Sequence, residues 1–150
     1  MSIRNNTIRF AIWMFLSIAV FFGIVHLLGW THITELRAVN LVFVIYFSNK
    51  LALTNVRTVE DNGYLQNLAS VFLANCLNVV LSFIGFFFFV RIISPVDLEA
   101  IMDSFILGKV EAMWQMYLAL FIEGCASGAV VSFAVMQYWK NNKKPQSSES

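Results

Sequence analysis

Residues 114–139 read WQMYLALFIEGCASGAVVSFAVMQYW, a long apolar run with aromatic residues at both ends and one carboxylic acid, Glu123, near its middle. A helix of about 20 apolar residues, rising about 1.5 Å per residue, crosses a hydrocarbon core of roughly 30 Å. Trp114 and Tyr117 at one end, and Tyr138 and Trp139 at the other, suit the two interfacial belts where amphipathic rings settle. The stretch therefore predicts a membrane-spanning helix. Glu123 lies about nine residues in from Trp114, roughly 13–14 Å deep, near the midplane.

The upstream chain repeats the pattern. The 150 residues are 59% hydrophobic and 13% charged, with 15 Phe. A water-soluble domain carries about 25% charged residues and could not hide so many large rings. Apolar runs place spans at about residues 10–28, 36–53 and 68–92, before the last at 114–139. The expected fold is all-α: an integral membrane bundle of four transmembrane helices plus one amphipathic surface helix. Residues 1–139 then form one transmembrane domain, and 140–150 a flexible basic and polar tail. The second span is the least apolar, with Arg37 and Asn40 near one end and Ser48, Asn49 and Lys50 toward the other. Arg4 and Arg9 before Phe10 resemble the start of a signal peptide. The apolar run is too long for one, and no small-x-small cleavage site follows, so a retained first span is expected.

Between spans three and four, Ser94-Pro95-Val96-Asp97 is a helix start, with Ser94 as cap and Pro95 at the first helical position. Over 95–113, Leu98, Ile101, Met102, Phe105, Ile106, Val110 and Met113 share a face, while Asp97, Glu99 and Asp103 lie off it. That pattern predicts a helix along the membrane surface, its acids solvated. Four spans place Arg4, Arg9, Lys50, Arg57, Lys140, Lys143 and Lys144 on one side, against Arg37, Arg91 and Lys109 on the other. The positive-inside rule then predicts both termini in the cytoplasm.

The polar residues inside the spans are the candidate site. An amide turned to lipid lacks partners, so Asn40 and Asn49 are expected to face neighbouring helices. Asn75 and Asn78, three apart, share a face expected to point into the bundle. The Phe83–Phe89 run is expected to contact lipid or a partner. Low dielectric disfavours charge, so Glu123 is expected to be a neutral acid that donates a hydrogen bond. Glu123, Asn78 and Asn75 form the candidate intramembrane polar site. Gly124, Ser127 and Gly128 form a small-residue stripe suited to helix packing. Two functions remain open. In the first, Glu123 is a neutral clamp and the protein acts through helix packing or partner association. In the alternative, Glu123 titrates in a small proton-linked transporter working as a homo-oligomer. Cys76 and Cys125 read as small buried apolar residues. No cysteine or histidine motif, nucleophile elbow or phosphate loop is present, so no enzyme, metal site, cofactor or nucleic-acid partner is expected. The expected partners are the lipid bilayer and another copy or another membrane protein.

Three features together resemble small four-span proteins of unknown function common in Bacteroidota. They are Gly63-Tyr64-Leu65-Gln66 before span three, Ile93-Ser94-Pro95-Val96-Asp97-Leu98-Glu99 after it, and a last span rich in small residues ending in Lys140 to Lys144. The resemblance covers about residues 63–144. It implies an inner-membrane location and no particular reaction, substrate or cofactor.

Overall fold

The computed structural model describes residues 2–29, 36–58, 63–91 and 112–141. Four helices carry them: α1 (Ile3–Leu27), α2 (Leu36–Thr58), α3 (Tyr64–Val90) and α4 (Met113–Asn141). All four are long and apolar enough to cross a membrane. Most of the surface helix expected at 95–113, and the tail beyond Asn141, lie outside the described residues; Met113 already belongs to α4.

The helices run further than hydropathy suggests. α1 begins at Ile3 because Ser2 caps it, its Oγ accepting from the Asn5 N–H at 3.4 Å. It ends where Gly29, at φ 71°, donates its N–H to the His26 carbonyl. That left-handed stop is open to glycine at no steric cost. α2 continues through Asn55 to Thr58, and α3 starts at Tyr64. The polar segment expected to connect spans two and three is therefore partly helix at both ends.

Neighbouring helices alternate in direction. Asn6 meets Asn55, Ser48 meets Asn75, and Gly128 lies against Asn75 while Gly124 lies against Val79. The start of α1 and the end of α4 thus share one end of the bundle, here called the terminal end. α2 and α3 form a central pair that touches both flanking helices, whereas α1 and α4 barely meet. α3 and α4 pack closely at two glycines. A Cβ on Gly124 would sit 3.0 Å from Val79 Cγ2, and one on Gly128 would sit 3.1 Å from Asn75 Cβ.

The packing is inverted relative to a protein in water. The exterior carries Val20, Ile24, Val42, Leu73, Phe88, Val130 and Phe133, all well exposed. The buried apolar residues are mostly small or flexible: Ala11, Met14, Leu51, Ala52, Val71, Ala74, Val131 and Met136. Lipid tails are as apolar as leucine, so apolar burial does not draw such helices together; close packing and interhelical hydrogen bonds do. The Phe run divides accordingly. Phe86 and Phe89 pack inward with Phe22, Met116 and Ala119, whereas Phe87 and Phe88 face out. Gly23, which could be taken for another packing glycine, has nothing within 4 Å of an added Cβ. Gly23→Ala is therefore expected to raise stability slightly, by about 0.5 kcal/mol through helix propensity, in thermal melts of the reconstituted protein.

Candidate functional site: a buried polar seam

The interior holds an unusual share of polar side chains, arranged in levels along the bundle. At the terminal end Asn55 of α2 is fully buried and is the hub. Its Oδ1 accepts from Asn6 Nδ2 of α1 at 3.1 Å. Its Nδ2 donates to Asn67 Oδ1 at 3.1 Å and to Ser70 Oγ at 2.9 Å, both on α3. Ser70 and Thr7 hydroxyls lie 2.7 Å apart, Thr7 Oγ1 donates to the Ile3 carbonyl at 2.9 Å, and Asn67 Nδ2 donates to the Ala52 carbonyl at 3.4 Å. Since Thr7 spends its proton on Ile3, Ser70 is the donor to Thr7. The chain of donors closes without a buried group left over.

About five residues further along α3, or roughly 7.5 Å, Asn75 builds the second level. Its Nδ2 lies 2.9 Å from Ser132 Oγ, 3.2 Å from Ser48 Oγ and 3.4 Å from the Gly128 carbonyl. Ser48 Oγ also approaches Asn75 Oδ1 at 3.3 Å, and Ser132 Oγ donates to the Gly128 carbonyl at 2.7 Å. The first level ties the central pair to α1, and the second ties it to α4. The two flanking helices, which barely touch, are each held by polar bonds to α2 and α3.

One turn deeper lies Asn78, only 5% exposed, whose Oδ1 has no hydrogen-bond partner. Asn40 Oδ1 on α2 is likewise buried and unpartnered. Beyond them the interior turns apolar, in the cluster of Phe22, Phe86, Phe89, Met116, Tyr117 and Leu120. His26 meets the edge of Phe89 there, ring centroids 5.1 Å apart.

The candidate residues from the sequence take different places in this arrangement. Asn75 is central to the seam, and Asn78 stands at its inner end. Glu123 is half-buried rather than sealed, on the stripe Met116, Ala119, Glu123, Ser127 of α4, and it is engaged in further interactions. Gly124 and Gly128 lie against α3. Ser127 spends its hydroxyl on its own helix, donating to the Glu123 and Gly124 carbonyls at 2.7 and 3.1 Å. Asn49 is exposed and accepts from Trp139 Nε1 at 2.7 Å. Cys76 and Cys125 are free thiols. Among the described residues no three His, Cys, Asp or Glu side chains converge as metal ligands.

Sequence reasoning missed Asn6, Thr7, Asn55 and Asn67, because each sits where an apolar run gives way to polar residues. A signal was present. Residues 67, 70, 71, 74, 75 and 78 recur at helical spacing, so the polar members share the face of Val71 and Ala74.

On the outer face of α3 and α4 an open groove of about 550 Å³ is lined by Val80, Phe83, Trp114, Tyr117, Leu118 and Phe121. Its lining is almost wholly apolar.

Compared with known proteins, the chain matches no family model, no curated protein and no solved structure at a significant level.

Proposed function

We propose that this multi-pass bundle sits in a bacterial inner membrane, with both termini in the cytoplasm, and acts by lateral association with a second copy or another membrane protein. The observation that carries the reading is the closure of the seam. In its two bonded levels, from Asn6 to Ser132, the buried donors and acceptors bond one another across the helices, which ties the bundle together and spends polar groups that a solute path would need; Asn40 Oδ1 and Asn78 Oδ1, further in, stay unpartnered. Large apolar side chains dominate the outward faces of the helices, including the aromatic groove between α3 and α4. The reading gives the chain no catalytic role, and Glu123 a structural one.

The test separates association from proton-linked transport. The full chain is reconstituted in liposomes carrying a pH gradient and a pH-sensitive dye, in wild-type and Glu123→Gln forms. In parallel, its oligomeric state is read by native mass spectrometry from lipid nanodiscs. The expected result is equal, slow dissipation of the gradient in both forms, with a defined oligomer or a stoichiometric membrane partner. Fast dissipation by wild type that Glu123→Gln abolishes would replace association with transport.

A further inference from the structure

The groove between α3 and α4 has an apolar body and a charged mouth. Its α3 wall is one row: Val80 and Phe83 line the groove, and Phe87 and Arg91 continue the row at helical spacing to the end of the helix. Ring contacts tie the end of the row to the groove. Arg91 Cζ lies 5.1 Å from the centroid of Phe87, Phe87 lies 6.1 Å from Tyr117, and Tyr117 lies 5.5 Å from Phe83. Glycine contacts set the register of the α4 wall. With Gly124 against Val79 and Gly128 against Asn75 on antiparallel helices, Trp114 stands level with about residue 89 and Phe121 with about residue 82. Arg91 and Trp114, both exposed, therefore flank the same end of the groove. The guanidinium rests on the Phe87 ring, and its N–H donors meet no acceptor among the described residues. Glu123, the only Asp or Glu among those residues, stands level with about residue 80, roughly 16 Å along α3 from Arg91.

The geometry points to a binding site for an anionic phospholipid, with one acyl chain in the groove and the headgroup phosphate on Arg91. An apolar channel with a cation at one end only is the complement of an amphiphile. A guanidinium offers a planar fork of donors that fits a phosphate, and a ring beneath it fixes its plane. A spanning helix ends at headgroup depth, so phosphate and Arg91 meet at one level while the tail runs inward past Phe83 and Val80. The indole N–H of Trp114 suits that same interfacial level. The groove, about 550 Å³, falls within the roughly 300–1,000 Å³ of small-molecule sites. A zwitterionic lipid carries its own ammonium beside the phosphate, which competes with Arg91 for it; a net anionic lipid has no such competitor. A second copy of the chain could cover the groove with apolar side chains, but its described residues bring no acid to this end to meet Arg91. The site does not rest on the association reading, since the outward faces of α1 and α2 remain for a protein partner.

In the full chain, Trp13→Phe, Trp30→Phe and Trp139→Phe together leave Trp114 as the reporter, and the protein is reconstituted in bilayers of zwitterionic lipid. Lipids brominated on the acyl chain, which quench indole on contact, are titrated in with either a phosphatidylglycerol or a phosphatidylcholine headgroup. Quenching by the anionic lipid is expected to saturate, half-complete at about a fivefold lower mole fraction than quenching by the zwitterionic one. Arg91→Gln should bring the two lipids level, and Leu118→Phe, which narrows the groove, should move both curves to higher mole fraction. Arg91 and Leu118 are exposed, so neither change disturbs the interior. If the three Trp replacements do not fold, native mass spectrometry of the otherwise unaltered chain reads the same site: one phosphatidylglycerol is expected to stay bound in preference to diacylglycerol, and to be lost in Arg91→Gln. Quenching or retention that follows lipid abundance alike for both headgroups overturns the site, as does a preference that survives Arg91→Gln. Loss of the anionic preference on adding inorganic phosphate would assign Arg91 to a free anion. Trp114 shielded from both lipids in a stable dimer would give the groove to a second copy, and either result also overturns it.

Discussion

Asn75→Leu is expected to destabilise the bundle by about 2–3 kcal/mol, while Asn78→Leu, three residues away on the same face, is expected to be neutral or stabilising. The two side chains have similar volume, burial and depth, so the contrast isolates hydrogen bonding. Leucine at 75 removes the group that Ser48, Ser132 and the Gly128 carbonyl share. A buried polar group left alone costs about 1–3 kcal/mol, and an interhelical bond in a membrane contributes about 0.6 kcal/mol on average. Ser132 keeps its own bond to Gly128, so the loss is less than the sum of all contacts. Leucine at 78 removes an oxygen that has no partner in the bundle, so nothing is orphaned. The measurement is reversible unfolding of each variant in the same lipid by a two-state assay such as steric trapping. Equal losses at both positions would mean that Asn75 acts through packing alone.

The second large effect belongs to the contact between α3 and α4. Gly128→Ala is expected to cost about 1–3 kcal/mol, the usual range for an extra methyl forced into a packed interface. The added carbon would meet Asn75 Cβ at 3.1 Å. That atom is fixed to the backbone and cannot rotate away, so the helices must part. Parting also lengthens the 3.4 Å approach of Asn75 Nδ2 to the Gly128 carbonyl. The two substitutions should therefore couple. In a double-mutant cycle, Gly128→Ala in the Asn75→Leu background should cost a different amount from Gly128→Ala alone, by at least about 0.5 kcal/mol. Strict additivity would show that Gly128 and the amide are independent. Gly23→Ala serves as the control on helix propensity, since its added methyl meets nothing.

The sequence by itself determined that the chain makes four long apolar helices. A hydrocarbon core demands that every backbone group be bonded within its own segment, and it sets the length, so runs of this hydropathy admit helices of this length. The small residues Gly124 and Gly128 were legible as a packing stripe for the same kind of reason, since only they lack the atoms that would hold a neighbour off.

Only the tertiary structure decided which polar residues carry the interior. Hydropathy averages along the chain, so Asn55 and Asn67 counted toward a polar connector and Asn6 and Thr7 fell before the first span. In the folded chain Asn6, Asn55 and Asn67 form one bonded cluster, because 12 to 61 residues of separation vanish when antiparallel helices bring their ends together. Depth along one helix placed Glu123 near the midplane, yet depth says nothing of rotation. Its position on α4 relative to α3 is set by the two glycines that let those helices touch. Partnership between polar groups is a property of the packed bundle, since a hydrogen bond needs both its ends within about 3 Å, and no pattern in a single strand of sequence specifies the far end.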